Sequence, residues 1–290
     1  TRATIPHLIP EILEEAIQGA FAGLKSVYGT SAVVVNNSMP ANNPQTGQRM
    51  RGGDTIIVPY FDTLGELDDI TEGNGLTAAA LTSSEETAAV VHSGKMFEMT
   101  YWAGLATNWA DPYAEAARQL LEAVTRRADK GAQDAGLTTS LVHDITAATL
   151  KTINYDSVID AKMLWGDEQD DIALMSVHSK VYADMLKLKD AQGRPLVTDP
   201  REGKLPMFAG IPVKVSDRNR VVAGTPNAYD TAIYKASSVA FWFQGAPRLL
   251  TDTDISADTL LGAVHVYHTS HRYKRKPGNT KTGVVRLRTQ

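Results

Sequence analysis

Residues 111–136 read DPYAEAARQLLEAVTRRADKGAQDAG, and this stretch predicts one long helix with both of its ends marked. Asp111 can accept hydrogen bonds from the first free backbone N–H groups, and Pro112 stands at a first helical position that needs no donor. Gly136 is expected to end the helix by adopting a left-handed backbone conformation. At about 1.5 Å per residue the helix would run roughly 36 Å, so we expect other elements to pack along it.

The predicted helix carries a narrow apolar stripe on a charged rod. Its apolar side chains recur at the three- and four-residue spacing of one helix face, and they are Tyr113, Ala116, Ala117, Leu120, Leu121, Val124 and Ala128. The remaining surface is charged and comprises Glu115, Arg118, Glu122, Arg126, Arg127 and Lys130. This pattern is typical of a spine over which other parts of a domain are laid.

The composition is that of an ordinary globular protein of one large or two modest domains. The chain has 290 residues, of which 43% are hydrophobic and 21% are charged, and its formal net charge of −4 does not indicate a polyanion partner for the whole chain. It contains no cysteine, which excludes disulfides and thiolate metal sites. No apolar run approaches the roughly 20 residues of a membrane-spanning helix, so we expect no membrane partner.

The charges are segregated along the chain. Residues 54–86 contain eight carboxylates and no Lys or Arg, whereas residues 271–290 contain seven Lys and Arg and no carboxylate. Blocks of opposite charge can pair within one subunit or between neighbouring copies, and two separate solvated surfaces are the alternative. The candidate inter-subunit contacts are Asp62, Glu66, Asp68, Asp69, Glu72, Arg126, Arg127, Arg272, Lys274 and Arg275. Reversal of the last three is expected to block assembly and to leave the subunit folded.

Two stretches lack a core of their own. Residues 54–61 and 88–100 read as strands, and 54–100 is interpreted as an extended two-stranded arm with little apolar mass. A two-stranded ribbon is only marginally stable alone in water, so we expect it to lie on a neighbouring subunit. Residues 9–24 show a helical apolar stripe, which must be buried either on the chain's own core or on another subunit.

The stretch 150–243 alternates helices and strands and predicts a compact layered module. Predicted helices cover 141–150, 157–165 and 178–189, and predicted strands cover 172–177, 210–215, 229–234 and 239–243. Further strands are expected at 260–273 and at 284–287, the latter within the basic tail.

No stretch predicts catalysis or a cofactor. On a strand His268 would point away from His265 and His271, which is poor geometry for a metal site. The carboxylates in 166–171 are better explained as an exposed turn, and 252–263 lacks the Gly and Glu that a calcium loop requires. The signatures of phosphate-binding loops, hydrolase nucleophiles and zinc proteases are not found in the sequence. A metal-dependent hydrolase using 166–171 or the histidines is retained as an alternative of a different class.

Four stretches in the same order along the chain carry a resemblance to a known family. They are GDTIIVPY at 53–60 with TEG at 71–73, DPYAEAARQL at 111–120, MSVHSKVYAD at 175–184 and FAGIPVKVSD at 208–217. Together they resemble the hairpin, the spine-helix opening and the strand-to-helix steps of the major capsid proteins of tailed bacteriophages. The fold of that family is named after phage Hong Kong 97.

The resemblance implies an α+β fold divided into five parts. These are an N-terminal arm (1–37), an extended β-hairpin loop (38–100), a peripheral domain with the spine helix (101–149), an axial domain (150–240) and a peripheral return with the basic tail (241–290). It also implies a structural, non-enzymatic subunit that assembles as hexamers and pentamers into an icosahedral shell. Such a shell encloses double-stranded DNA by nonspecific contact, is assembled in the host cytoplasm and becomes the capsid of the virion.

The resemblance also suggests partners and a close alternative. Scaffolding, portal and decoration proteins are possible partners of such a subunit. Some members of the family join subunits through a hairpin Lys, but this chain has no Lys between Lys25 and Lys95. We therefore expect a non-covalent shell, or one clamped by a decoration protein. An encapsulin-type compartment that encloses a cargo enzyme is the alternative within the same fold.

Overall fold

The computed structural model describes residues 26–36, 39, 53–62, 64, 65, 67, 69, 78, 80–101, 112–197, 205–245, 247–276 and 278–290. Its helices are α1 (Pro112–Leu137), α2 (Tyr155–Met163) and α3 (Ser179–Lys187). Its strands are β1 (Val33–Asn36), β2 (Thr55–Phe61), β3 (Ser83–Ala89), β4 (Val91–Thr100), β5 (Val142–Asp144), β6 (Ile172–Val177), β7 (Met207–Phe208), β8 (Ile211–Val215), β9 (Val221–Val222), β10 (Ala228–Lys235), β11 (Val239–Phe243), β12 (Arg248–Asp254), β13 (Thr259–Arg272) and β14 (Val284–Thr289). The α+β class expected from the sequence is confirmed.

The long strand β13 organises a five-stranded sheet. Along one edge it pairs antiparallel with β4, from Thr259 opposite Thr100 to His268 opposite Val91. Along its other edge the first half pairs with β12 and the second half with β11, which in turn carries β1 in parallel. A strand of 14 residues therefore has room for three antiparallel partners.

A seven-stranded sheet gathers distant parts of the chain. Its order is β5-β14-β10-β6-β8-β7, with β9 paired to β10. The last strand of the chain, β14, lies between β5 and β10, so the end of the chain is built into this sheet. Trp165, Met175 and Phe208 are fully buried in the core on this sheet, where they pack with residues of α2 and α3. The predicted domain boundaries, including the one at residue 240, stay predictions.

The spine helix α1 is confirmed, but its predicted ending is wrong. Gly136 lies within the helix, which continues to Leu137, and its φ is not positive. A Cβ built on Gly136 would lie 2.5 Å from Cε1 of the buried Tyr234 ring. Gly136 is therefore required because the helix packs closely on β10, and not because the backbone turns left-handed. The proposed cap, Asp111, lies outside the described residues.

A buried carboxylate joins α1 to the first described residues of the chain. Asp129 is fully buried on α1. Its Oδ1 atom accepts hydrogen bonds from three successive backbone N–H groups, those of Ser26 and Val27 at 2.8 Å and that of Tyr28 at 2.9 Å. The Ser26 hydroxyl donates to Oδ2 at 2.8 Å. In a helix or a sheet these backbone N–H groups would donate to backbone carbonyls, and here the carboxylate is their acceptor instead.

The same carboxylate reaches the loop after β8. Its Oδ2 atom accepts from Gln133 Nε2 at 2.8 Å and from Arg218 Nη1 at 3.0 Å. Gln133 Nε2 also donates to the Ser216 hydroxyl at 3.1 Å. A buried charge is tolerated when it is paired and fully hydrogen-bonded, and Asp129 meets both conditions. One side chain therefore fastens the five-stranded sheet, the spine and the seven-stranded sheet together.

Replacing Asp129 by Asn should lower the free energy of unfolding by about 3–5 kcal/mol, because the amide keeps the shape but leaves buried donors without a charged acceptor. Urea denaturation of the purified chain followed by circular dichroism measures the loss. Asp134→Asn, at an exposed position on the same helix, is the matched control and should change the value by less than about 0.5 kcal/mol. Equal effects of the two substitutions would show that the Asp129 contacts do not stabilise the fold more than an exposed aspartate does.

A second prediction concerns pH. His268 on β13 is 3% exposed, its Nε2 lies 3.0 Å from the Ser93 hydroxyl, and its ring stacks on Phe241. Burial, together with the nearby positive charge of Arg127, lowers the pKa of His268 from 6.5 to about 4. Because the folded-state pKa lies below the unfolded one, the stability that neutral His268 contributes is present above pH 6.5 and is lost as the pH falls towards 4.

We expect His268→Gln to reduce the acid sensitivity of the fold. Between pH 7 and pH 4 the unmodified chain should lose roughly 3 kcal/mol more unfolding free energy than the variant, from a pKa shift of this size. Urea titrations of both proteins at half-unit pH intervals give the difference, in which the other titrating groups cancel. Parallel pH profiles for the two proteins would contradict the assignment.

Candidate assembly surfaces

The hairpin expected from the sequence is present and is shorter than predicted. β2 and β3 pair antiparallel as a two-stranded sheet, from Thr55 opposite Ala89 to Phe61 opposite Ser83. Residues 91–100, which the sequence analysis placed in the arm, form β4 and pair along their whole length with β13 of the same subunit. The prediction of a two-stranded arm over 54–100 is therefore wrong beyond residue 90.

The root of the hairpin is anchored in its own subunit by a buried carboxylate. Glu86 on β3 is 3% exposed, and its Oε2 atom lies 2.7 Å from Nε2 of His271. Both carboxylate oxygens also accept from the backbone N–H of Lys274, at 2.9 and 3.0 Å. Burial lowers the pKa of His271, and the hydrogen bond to Glu86 opposes that shift. The hairpin thus inserts a charged side chain into the body of the subunit.

A second, more exposed contact holds the hairpin to the basic tail. Arg275 Nη1 donates to Asp62 Oδ1 at 2.6 Å, and the guanidinium lies 5.6 Å from the centre of the Tyr60 ring. Asp62 also accepts from the Ser84 hydroxyl at 3.2 Å. Of the alternatives left open by the charge pattern, the structure shows pairing within the subunit for Asp62 and Arg275.

The other candidate contact residues occupy different environments. Arg272 is partly buried, and its Nη1 donates to the Thr282 hydroxyl at 2.7 Å and to the Tyr273 carbonyl at 3.3 Å. Reversing its charge would break these interior contacts, so the expectation that the subunit stays folded does not hold for Arg272. The exposed candidates are Asp69, Arg126, Arg127 and Lys274, whereas Glu66, Asp68 and Glu72 lie outside the described residues.

The cations near the tail turn are used inside the subunit. Lys276 Nζ lies 3.1 Å from Asp171 Oδ2. Lys281 Nζ donates to the carbonyls of Leu164 and Trp165, at 3.2 and 2.9 Å, just after the end of α2. A cation at a helix C-terminus satisfies free carbonyl groups and interacts favourably with the helix dipole.

The cations of β14 are likewise engaged. Arg286 Nη1 donates to the Leu137 carbonyl at the end of α1, at 3.0 Å. Arg288 makes a two-pronged contact with the fully buried Asp230, at 2.7 and 3.1 Å. Most described cations of the basic tail therefore make contacts within the subunit, and Lys274 is exposed.

The carboxylate run 166–171 belongs to the same set of ties. Glu168 accepts from the backbone N–H groups of Thr280 and Lys281, at 2.8 and 3.2 Å. The run thus holds the tail in place and does not form an open metal cup.

The three histidines of β13 also do not converge. His265 lies 3.3 Å from His92, while His268 contacts Ser93 and His271 contacts Glu86. Among the described residues no group of three or more His, Asp or Glu could hold a metal ion. The metal-dependent hydrolase therefore gains no support. No described helix has both the length and the apolar character needed to cross a membrane.

Two regions expose large apolar side chains. Beyond the paired part of the hairpin, Leu67 is 100% exposed and Leu64 and Leu81 are also exposed, as is Phe61 in the last pair of the hairpin. Around β12, which is an edge strand of the five-stranded sheet, Ile255 is 93% exposed, and Leu249 and Leu250 are exposed on the strand. Groups of exposed apolar side chains mark interaction surfaces in soluble proteins. We call these groups the hairpin patch and the β12 patch.

Comparison with known proteins identifies the fold. No protein-family model matches the sequence, and no curated protein matches it. Solved structures do match. The capsid of the native GTA particle aligns at a TM-score of 0.67 and 15% identity, over 96% of this chain and 94% of that one. The capsid of Ralstonia phage GP4 aligns at a TM-score of 0.60 and 10% identity, over 100% and 98% of the two chains.

An encapsulin is also similar, over less of the chain. The SrpI encapsulin complex of Synechococcus elongatus PCC 7942 aligns at a TM-score of 0.56 and 12% identity, over 71% of this chain and 77% of that one. Phage capsids and encapsulins share one architecture, and these alignments place the present chain in it. The chain has the Hong Kong 97-like capsid fold, as the sequence resemblance implied.

Proposed function

We propose that the protein is a major capsid subunit that assembles with copies of itself into an icosahedral shell enclosing double-stranded DNA. The single observation that carries this proposal is the hairpin patch. The two-stranded hairpin carries a leucine, Leu67, that is fully exposed and therefore buries no area within its own subunit. The subunit also has the fold of capsid proteins. Covering the patch with a second copy of the chain removes apolar surface from water and joins the two copies.

The proposed contact joins the hairpin patch of one copy to the β12 patch of the next, and it is heterologous because the two patches are different surfaces. Repeated head-to-tail contacts close into rings when the rotation between subunits permits, and such rings are the hexamers and pentamers of the proposed shell. The proposal includes a structural, non-enzymatic role and a location in the virion after assembly in the host cytoplasm. Scaffolding, portal and decoration proteins are the further partners that such a shell would use.

The encapsulin-type compartment is the second candidate, supported by the similarity to the SrpI encapsulin. Larger shares of the phage and GTA capsid chains align, and this favours the capsid. Particles isolated from the native source separate the two candidates. Packaged double-stranded DNA supports the capsid, whereas a shell filled with a single enzyme supports the compartment. A chain that stays monomeric at all concentrations excludes both.

The hairpin patch is tested by Leu64→Asp combined with Leu67→Asp. The double variant should fold normally and fail to assemble, because two carboxylates would have to be desolvated at the contact. Electron microscopy and size-exclusion chromatography measure assembly, and circular dichroism checks the fold. Leu150→Asp, at another exposed leucine, is the matched control and should assemble. Normal particles from the double variant would rule the patch out as a contact.

The ion pair between Asp62 and Arg275 can be assigned to one subunit or to two by charge exchange. Asp62→Arg and Arg275→Asp should each loosen the hairpin, and the two changes in one chain should restore particle yield. Co-expression of the two single variants should not restore it, because the pair lies within one subunit. Rescue by co-expression would instead show that the pair forms between neighbouring copies in the particle.

Mature particles should give one band at the subunit mass on a denaturing gel. No lysine occurs between Lys25 and Lys95, so the hairpin has no amine with which to form an amide link to a neighbour. Boiled particles run beside unassembled subunit provide the measurement. A ladder of covalent oligomers would refute the non-covalent shell.

A further inference from the structure

A groove lies between the spine helix and the inner face of the five-stranded sheet. Its volume is about 410 Å³. Val124 and Ala128 of α1 form one wall, and Phe241, Val264 and Val266 of the sheet form the other. The groove is half open to its surroundings, although a domain core of this kind is normally filled to the density of an organic crystal. The groove is therefore a place where apolar side chains from elsewhere would fit.

The rim of the groove is positive. Lys95 on β4 and Arg127 on α1 line it, and no carboxylate does. Among the described residues, neither of these two cations has a carboxylate within ion-pair distance. An occupant that carries acidic side chains beside an apolar stripe would match both the walls and the rim.

The chain enters the described part of the structure at one end of this groove. Ser26 is bound to Asp129, the residue that directly follows Ala128 of the groove wall. Tyr28 then packs edge-on against Phe241, with ring centres 5.8 Å apart. Ser26 therefore lies next to the groove, and the 25 residues before it join the described part of the chain at that point.

The two other long segments outside the described residues leave the fold elsewhere. The segment after β1 passes Met39, which is buried against Val90 and Trp242. Trp242 lies between Phe241 and Phe243 on β11 and so points to the opposite face of the sheet. Met39, the described residue of that segment, therefore lies on the face away from the groove.

The link from β4 to α1 is too far from the groove to fill it. Thr100 lies six residues beyond Gly94 of the groove, which is roughly 20 Å along a strand. Pro112 lies twelve residues before Val124, which is roughly 18 Å along a helix. The described residues on either side of the link, Thr100 and Pro112, thus stand far from the groove, and this favours the N-terminal segment as the occupant.

We propose that residues 9–24 of the same chain form an amphipathic helix whose apolar stripe occupies this groove. The stripe comprises Ile9, Ile12, Leu13, Ala16, Ile17, Ala20, Phe21 and Leu24. The same stretch carries Glu11, Glu14 and Glu15 and no basic residue, which matches the positive rim. Only Lys25 separates the stretch from the anchored Ser26, so the stretch reaches the groove of its own subunit more readily than that of a neighbour. This inference does not depend on the proposed shell.

The absence of cysteine makes a direct test possible. Val124→Cys is combined in the full chain with a cysteine at each of four stripe positions, namely Ala16, Ile17, Ala20 and Phe21. At least one pair should form a disulfide within a single chain under mild oxidation, seen as a faster band on a non-reducing gel and as a linked peptide by mass spectrometry. The matched control, Gln18→Cys with Val124→Cys, should form at most about a tenth as much, because Gln18 lies off the stripe.

Three outcomes would overturn the proposal. They are no disulfide from any stripe position, equal disulfide formation from Gln18, or disulfides that link two chains when singly substituted proteins are mixed. The last result would place the groove's occupant in a neighbouring subunit.

A second measurement does not require disulfide geometry. Maleimide labelling of a lone Val124→Cys should rise at least about tenfold when Ile17→Asp is added, because undocking exposes the groove. Adding Gln18→Asp should leave the labelling rate unchanged. A labelling rate that is unchanged by Ile17→Asp would mean that the stripe does not cover Val124.

Discussion

The carboxylate of Asp129 ties three distant segments of this subunit together. It is fully buried, and it binds the backbone of the first described residues, the Gln133 side chain one turn along the spine and the Arg218 guanidinium beyond β8. A buried carboxylate that lacked these partners would be costly, so the three segments are stable in their observed positions only when all are present. The spine helix therefore acts as a common support for the two sheets, which share one hydrophobic core with it.

Several of the segregated charges of the sequence are paired inside the subunit. Glu86 and Asp62 of the acidic block bind the chain between 271 and 275, and the later cations bind Asp171, Asp230 and the carbonyls at the ends of two helices. These contacts of the basic segment hold β14 in the seven-stranded sheet. The cations that make them are not available to a second copy of the chain. In the proposed shell, recognition between copies is assigned mainly to the apolar side chains of the hairpin patch and the β12 patch. Because apolar contacts lack the orientation of hydrogen bonds, the rigid anchoring of the hairpin root by Glu86 supplies the precision that the patch itself does not.

The sequence predicted the elements with a strong local period and missed the features that depend on distant partners. The end of the spine helix is predicted to within a residue because its apolar stripe is a local pattern within 26 residues. Gly136 was misread because a glycine near a helix end usually permits a left-handed turn, whereas here the deciding neighbour, Tyr234, is about a hundred residues away. Residues 91–100 were assigned to the arm because a strand pattern does not reveal which strand it pairs with, and β13 lies far along the chain. For Glu86 a weak signal existed, since it alternates with the small buried Ala88 on one face of β3. Asp129 gave no signal at all, because its position on the helix resembles that of any solvated carboxylate until the backbone of 26–28 is brought against it.

On the proposed function, a division between internal and external contacts would let one subunit fold and then assemble. The buried polar contacts join the two sheets, the spine and the hairpin root within a single chain. The two patches are apolar. Their exposure in a free subunit costs a modest free energy, which contact with a neighbour would recover. Weak contacts of this kind can form and break until the geometry of a ring is correct, which a strong charged contact at the same place would prevent. A subunit that pairs several of its charges internally and exposes apolar side chains on an anchored hairpin would suit assembly in which wrong contacts can be corrected. The fold that it shares with phage capsids is consistent with that use.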